Sequence, residues 1–281
     1  MTDKMDVELG AVQETLLIPL LGRAAETRKG RGLIDDPKAV EIVERLDYDF
    51  EKWEGGPSLM GAALRTRMFD RWVEDFLGRH PTGTVVELGC GLNTRFERLD
   101  NGQATWFDLD LPDVIELRRR FFVDEPRRTM IAGSALATDW MDRVEATGGP
   151  WLFISEAVLI YLDEAEVRQA MAQLSARFGP MALAFDTADQ SMVDGQATHD
   201  AMKHLSQDSW FTWACADPTI IESWDLGLTV VESKTFADAD PSLMANLPLP
   251  YRLVGRYAPF LIRRSVSHYK LNLATSADMV R

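Results

Sequence analysis

Two short apolar runs that end in acidic residues carry the clearest chemical signal in this chain. The first run, Val85–Leu88, contains Glu87 and leads into the turn Gly89-Cys90-Gly91. The second run, Trp106–Asp110, follows about twenty residues later and also ends in acids. In a parallel sheet, a glycine turn after one strand and an acid at the end of its neighbour form a nucleoside site. The pattern therefore predicts a bound nucleoside cofactor.

The number of glycines in the turn narrows the choice of nucleoside. A dinucleotide fold uses G-x-G-x-x-G, because the pyrophosphate approaches the backbone at the second glycine and the helix packs closely at the third. Here Thr94 stands in the third position. S-adenosylmethionine has no pyrophosphate, so Gly89 and Gly91 suffice for its methionine end to lie over the backbone. Asp108 or Asp110 would then accept hydrogen bonds from the ribose hydroxyls, and the other would be a turn or cap residue.

Composition favours a cytoplasmic enzyme that acts on a small molecule. The chain has 281 residues, 46% of them hydrophobic, and a net charge of -14. Such a charge argues against nucleic acid and anionic membranes as partners, because phosphate groups would be repelled. The basic runs Arg118–Arg120 and Arg127-Arg128 are interpreted as solvated surface. Neither the acidic start of the chain nor any later run has the roughly eighteen apolar residues that a membrane span requires.

Cysteine and histidine spacing gives no sign of a metal site. Cys90 and Cys215 form no C-x-x-C motif, and His199 and His204 are too far apart to share one helix face. The position of Cys90 in the glycine turn is explained by the need for a small side chain beside the ligand. We therefore predict no metal. The oligomeric state is left open.

Predicted elements alternate along the chain. Residues 1–80 contain the apolar helical patterns Glu14–Glu26, Pro37–Arg45 and Leu59–Leu77 and are predicted to form a helical cap. Residues 81–281 form the core, where alternating strand and helix patterns indicate an α/β fold with a doubly wound, mostly parallel, seven-stranded sheet. The predicted strands are Thr84–Leu88, Ala104–Leu109, Thr129–Ala132, Trp151–Ser155, Met181–Phe185, Leu228–Phe236 and an antiparallel His268–Leu273.

One segment interrupts this alternation. Gln190–Ala216 is polar and aromatic by turns and is too long for an ordinary connection, so it is predicted to be an inserted helical lid. Its aromatic residues Trp210, Phe211 and Trp213 form either the core of the lid or a flat wall for an aromatic substrate. Tyr161 either packs under the lid or contacts the substrate.

Five motifs, taken in order, resemble the leucine carboxyl methyltransferase family, and most closely its bacterial branch of polyketide O-methyltransferases. The similarity extends from about Glu14 to Leu273. It implies a class I methyltransferase fold, S-adenosylmethionine as methyl donor and an acceptor oxygen that is a carboxylate in the characterised members. Ser155 and Asn93 depart from the family pattern, which more often has alanine and aspartate there. The motifs are Glu14–Thr27, Leu64–Arg67, Val86–Arg95, Phe107–Pro112 and Ile154–Leu162.

The resemblance also implies roles for individual side chains. Arg65 would pair with the carboxylate of the cofactor, to which a guanidinium fork is suited. Ser134 and Ala135 would flank the adenine, and Glu156 would lie near the methionine end. Arg23, on the cap, would be the cationic partner of an acceptor carboxylate.

Transfer from an activated sulfonium methyl requires alignment and exclusion of water more than acid–base help, so no catalytic residue is assigned. A carboxylate is ionised at neutral pH, whereas a phenol would usually need a general base. No histidine belongs to a recognisable motif, which favours the carboxylate, while His199 and His204 keep a phenol acceptor open. A nicotinamide oxidoreductase would need a third glycine where Thr94 stands. A binding module without catalysis would need a closed pocket under the lid.

Overall fold

The computed structural model describes residues 4–257 and 259–279. The N-terminal part contains a two-stranded parallel ribbon and four helices. A tight turn separates the first two helices, because Thr15 bonds back to the carbonyl of Val12 through both its amide and its hydroxyl. The single helix predicted over Glu14–Glu26 is therefore wrong at its start. In chain order the elements are β1 (Met5–Asp6), α1 (Ala11–Glu14), α2 (Leu17–Arg28), α3 (Pro37–Arg45), β2 (Leu46–Asp47) and α4 (Pro57–Arg79).

The central sheet has seven strands in the order β5-β4-β3-β6-β7-β9-β8. Neighbouring strands from β5 to β7 are parallel, and the last strand, β9, runs antiparallel to both of its neighbours. The predicted seven-stranded, mostly parallel sheet with an antiparallel last strand is confirmed. The strands are β3 (Thr84–Leu88), β4 (Thr105–Asp110), β5 (Arg128–Ala132), β6 (Trp151–Ser155), β7 (Met181–Ala188), β8 (Leu228–Lys234) and β9 (Tyr269–Ser276).

Strand order reverses between β3 and β6, since the chain proceeds outward to β4 and β5 before it returns to β6 and β7 on the other side. Ligands of doubly wound sheets bind beyond the carboxyl ends of the strands at such a reversal. β3 and β6 are buried at every residue, as expected of strands covered on both faces. The fold thus leaves one crevice at the ends of β3, β4 and β6.

The predicted helical lid over Gln190–Ala216 contains one short helix, α9, and three single 3₁₀ turns. No element was predicted between Phe236 and His268, where the structure has three helices. The segment Pro218–Trp224 is a 3₁₀ helix, capped by the side chain of Asp217, which accepts from the amide of Thr219. The remaining helices are α5 (Arg95–Leu99), α6 (Pro112–Arg118), α7 (Met141–Glu145), α8 (Glu164–Arg177), α9 (Gln190–Asp194), α10 (Pro241–Met244), α11 (Leu249–Tyr257) and α12 (Pro259–Ser265).

The N-terminal helices share one hydrophobic core with the sheet. Leu20 of α2 and Phe69 of α4 belong to the same buried cluster as Val85 and Trp106 from the strands. A second cluster, which contains Phe153, covers the opposite face of the sheet. The division of the chain at residue 80 stays a prediction. Within the described residues no helix has the length and apolar character needed to span a membrane.

Candidate active site

A cavity of about 320 Å³ lies at the carboxyl ends of β3, β4 and β6. Its floor is the glycine turn after β3, and its sides come from the N-terminal helices, the loop after β6 and the lid. Of the residues predicted for the site, most meet in its wall. These are Arg23, Arg65, Glu87, Gly89, Cys90, Gly91, Asp110, Ser134, Ala135, Glu156 and Tyr161.

The glycine turn has a backbone that other residues rarely adopt. Gly89 and Gly91 have φ angles of +67° and +49°, and a Cβ on Gly89 would overlap the side chain of Val158. The amide of Gly91 donates to Oδ2 of Asp110 over 2.6 Å, which holds that carboxylate beside the turn. Burial raises the pKa of Asp110 to about 6, against the lowering effect of the Gly91 and Leu111 amides. Of the two candidate acids, Asp110 is the one in the cavity wall.

Asp108, the other candidate for the ribose, lies outside the cavity wall. It is 2% exposed, and its Oδ2 accepts from Arg118 at 3.0 Å and from Arg128 at 2.7 Å. Although burial raises its pKa, these two arginines outweigh that effect and hold the pKa below its usual value. Arg118 also donates to the carbonyl oxygens of Gly91 and Asn93, so it supports the glycine turn. The interpretation of Arg118 and Arg128 as solvated surface is wrong.

Arg65 and Glu156 form the charged end of the cavity. The Nε of Arg65 donates to Oε1 of Glu156 over 3.1 Å, and one of its terminal nitrogens donates to the hydroxyl of Tyr269 over 3.2 Å. Thr66 and Arg95 complete the partners of Glu156. Burial alone would raise the pKa of Glu156, but Arg95 and Arg65 lower it, so this carboxylate is ionised.

Arg95 lies behind the cavity wall and was not among the predicted site residues. Its side chain is 1% exposed and bridges Glu87, Asp70 and Glu156, which come from β3, α4 and the loop after β6. Both oxygens of Glu87 accept from Arg95, so Arg95 fixes Glu87 in the cavity wall. The available signal was its place as the first helical residue after the glycine turn, at the end of one of the five motifs.

The side of the cavity beyond Asp110 is lined by the loop after β5. Ser134 is fixed by its own loop, since its hydroxyl oxygen accepts from the amide of Leu136 and its carbonyl accepts from the indole of Trp140. Ala135 follows it in the wall. Cys90, in the turn, is buried, and burial raises the pKa of its thiol well above the ordinary value. The thiol is therefore a small neutral surface beside the ligand.

The lid contributes fewer aromatic side chains to the cavity than expected. Phe211 lines it and meets Tyr161 edge to face, with ring centroids 5.2 Å apart. Trp213 instead packs near Trp224 in the core on the opposite face of the sheet, and Trp210 packs against the first core. Neither Trp210 nor Trp213 is therefore in the cavity wall, and the structure has them packed in the two cores.

Arg23 lies in the wall but is 2% exposed. Its Nε donates to Asp36 over 2.9 Å and a terminal nitrogen donates to the carbonyl of Leu92 over 2.7 Å. Burial lowers the pKa of Arg23, while Asp36 opposes that shift. This side chain fastens α2 to the glycine turn.

Two polar side chains in the cavity wall, those of Ser58 and His199, were not predicted as a pair. The Oγ of Ser58 lies 3.3 Å from Nε2 of His199, and the amide of Ser58 donates to Asp200 over 3.1 Å. Burial lowers the pKa of His199 below 6.5, with Asp200 acting in the opposite direction. The imidazole is therefore neutral at physiological pH and faces the cavity.

A doubly wound sheet with an antiparallel last strand and a glycine-turn cavity at the strand reversal defines a class I methyltransferase. Residues 17–175 match the profile of the family described as leucine carboxyl methyltransferase. The chain belongs to this family. It is 31% identical over 243 residues to the tetracenomycin polyketide synthesis O-methyltransferase TcmP of Streptomyces glaucescens. The alignment covers 84% of this chain and 89% of that protein.

Other comparisons agree with this assignment. The S-adenosyl-L-methionine-dependent methyltransferase dpfgK of Gibberella zeae is 29% identical over 294 residues, covering 93% of this chain and 92% of that protein. The fold is shared with magnesium protoporphyrin IX methyltransferase from Synechocystis, solved with bound SAH (TM-score 0.50, 12% identity, 86% of this chain and 100% of that one). It is also shared with a DUF574 family protein from Streptomyces avermitilis (TM-score 0.58, 12% identity, 80% and 87%). The chain is an S-adenosylmethionine-dependent O-methyltransferase.

Proposed function

We propose that this enzyme methylates an oxygen of a small, flat, largely apolar acceptor, with a carboxylate as the first candidate. The cavity supports this because its wall combines a few polar groups with a large apolar lining. The polar groups are the glycine turn, Asp110 and the charged pair of Arg65 and Glu156. Most of the other wall residues are apolar or aromatic, among them Leu16, Ile18, Tyr161, Met192, Met202, Phe211 and Phe236.

The polar groups of the cavity wall fit S-adenosylmethionine. The absence of a side chain at Gly89 keeps the turn clear, and Asp110 stands where a ribose hydroxyl would donate. Arg65 would bind the carboxylate of the cofactor, with Glu156 near the methionine end and Ser134 and Ala135 beside the adenine. The bound cofactor supplies an activated methyl group. The chain then has to align the acceptor oxygen with that methyl and exclude water.

A carboxylate acceptor is supported by the description of the family, leucine carboxyl methyltransferase. The name of the relative TcmP, a polyketide synthesis O-methyltransferase, supports a polyketide-like acceptor oxygen. A carboxylate acceptor is ionised well below neutral pH and needs no base. Arg23 is the cation we propose for it, through donors that Asp36 and the carbonyl of Leu92 do not already use. This pairing would place the acceptor between the glycine turn and the start of α2.

A phenol is the second candidate, and a specific observation favours it. Within the described residues, the basic side chains of the cavity wall are Arg23, Arg65 and His199, and both arginines already have carboxylate partners. His199, held neutral by burial and next to Ser58, is the group in the cavity wall that could take the proton of a phenol.

The two acceptors are distinguished by a pH–rate profile at saturating cofactor. With a carboxylate the rate should be flat from about pH 6.5 to 9 and the product should be a base-labile methyl ester, because the nucleophile is fully ionised. The variant H199Q should leave that rate unchanged. A rate that rises to pH 9, an ether product and a large loss in H199Q would establish the phenol instead. Calorimetry that detects no cofactor binding by the folded protein would refute the proposed function itself.

A further inference from the structure

A residue in an unfavourable conformation adjoins the charged end of the cavity. Ala157 follows Glu156 directly after β6, lines the cavity and has a φ of +54°. This left-handed region is costly for any residue with a Cβ, and glycine alone adopts it freely. Strained residues of this kind persist where surrounding contacts hold them, often at functional sites. We therefore expect a specific contact to hold Ala157 in this conformation.

That contact comes from Asp186 on β7. The amide of Ala157 donates to Oδ2 of Asp186 over 2.8 Å, and the hydroxyl of Tyr269 donates to the same oxygen. The Nε of Arg65 lies 4.0 Å from it. Asp186 is fully buried, and its other oxygen has no hydrogen-bond partner in the part of the chain that the structure describes.

Burying a carboxylate with one oxygen unpaired is unfavourable, so simple packing gives no reason for an acid at this position. In agreement, burial raises the pKa of Asp186 to about 6, with Arg65 and the two hydrogen bonds acting in the opposite direction. The carboxylate of Asp186 accepts hydrogen bonds both from the Glu156–Ala157 turn and from the hydroxyl of Tyr269. That hydroxyl in turn accepts from Arg65.

We propose that Asp186 is a positioning residue for cofactor binding. It holds Ala157 in the left-handed conformation and fixes the Tyr269 hydroxyl, and it thereby orients Glu156 and Arg65 toward the methionine end of the cofactor. This inference rests on the proposed function, which makes those two side chains cofactor residues. Asp186 acts through its neighbours and lies outside the cavity wall itself.

The test uses the variants D186A and D186A/A157G, with the Kd for S-adenosylmethionine measured by calorimetry. Loss of a hydrogen bond to a charged group should raise Kd about tenfold or more in D186A. The second change should recover most of that loss, because glycine adopts the left-handed conformation without being held. D186N should bind within about threefold of wild type, since its amide oxygen can still accept from Ala157. The KM for the acceptor should change little in all three.

L183A is the matched control, because Leu183 is a fully buried residue of the same strand that packs in the core on the opposite face. It should lower stability without changing Kd. Unchanged Kd in D186A, or a loss that A157G does not relieve, would overturn the inference while wild-type binding keeps the proposed function intact. If wild type itself does not bind, the proposed function fails first. D186S and D186S/A157G replace the alanine pair if D186A does not fold.

Discussion

Arg65 offers the most direct test at the scale of single residues. Its side chain is 13% exposed, and it keeps donors free beyond those used by Glu156 and Tyr269 among the described residues. Removing a charged hydrogen-bond donor typically costs about 1.5 to 3 kcal/mol, so R65A should raise the cofactor Kd by roughly ten- to a hundredfold. Arg71 on the same helix is half exposed and pairs with Glu74, which makes R71A a matched control. Equal Kd values in R65A and R71A would remove Arg65 from the site.

Asp110 should make cofactor binding depend on pH. Its pKa of about 6, raised by burial, means that it becomes protonated below that pH and then accepts more weakly from a ribose hydroxyl than the carboxylate does. Calorimetry should show Kd rising about tenfold between pH 7.5 and pH 5. Without cofactor the sign is opposite, because a raised folded-state pKa makes ionised Asp110 lower the stability as pH rises through 6.

The control for this titration is a second carboxyl with a similar pKa. D110N should bind with little dependence on pH, whereas D186N should retain the wild-type dependence. If D186N loses the dependence and D110N keeps it, the titrating group is Asp186 and the role given to Asp110 is wrong.

Residues whose role depends on local backbone could be predicted from the sequence. Gly89 and Gly91 lie in one turn, and Asp110 lies at the end of the neighbouring strand. Their spacing in the sequence predicts that the turn and the acid are adjacent in the fold. The burial of Asp108 could not be predicted in the same way, because its partners Arg118 and Arg128 come from a later helix and strand. Distant partners decide whether such an acid faces a ligand or a salt bridge.

At the scale of elements, the glycine turn also positions the N-terminal helices. A Cβ on Gly91 would lie 3.2 Å from the Cβ of Leu16, at the start of α2, and φ is +49°. G91V should therefore strain the turn, displace this part of the cavity wall and abolish measurable cofactor binding in calorimetry. G102V is the matched control, since Gly102 has φ +78° and open space around it. It should destabilise the fold similarly and bind cofactor normally. Binding by G91V with wild-type affinity would show that the cofactor does not approach this turn.

The buried strands could be predicted well because their apolar runs are bounded by glycine, proline and acidic residues. The helix from Glu14 to Glu26 was misjudged, because the hydroxyl of Thr15 bonds to the preceding turn and interrupts an apolar pattern that continues through it. α11 has an amphipathic apolar pattern that the sequence interpretation left unassigned, and several apolar side chains of α11 and α12 are exposed in this structure.

At the scale of the whole molecule, the net charge of -14 should affect the two ligands in opposite ways. S-adenosylmethionine carries a charge of about +1 at neutral pH, and a carboxylate acceptor is negative. The average field of the protein therefore attracts the cofactor and repels the acid. These long-range effects act at low salt, where the Debye length is about 30 Å at 0.01 M, and are screened when it falls to about 8 Å at 0.15 M.

Raising the ionic strength from 0.01 to 0.15 M should therefore increase kcat/KM for a carboxylate acceptor, by about threefold, and raise the KM for the cofactor. A neutral phenol tested in parallel is the control, because an uncharged acceptor feels little of the field and its kcat/KM should stay constant at saturating cofactor. Initial rates at four or five salt concentrations suffice for the measurement. If kcat/KM for the carboxylate falls with salt instead, a local cation at the entrance outweighs the net charge of the protein. Arg23, buried and paired with Asp36, could contact the bound carboxylate but could not attract it from solution, so the acceptor would have to enter past another basic surface.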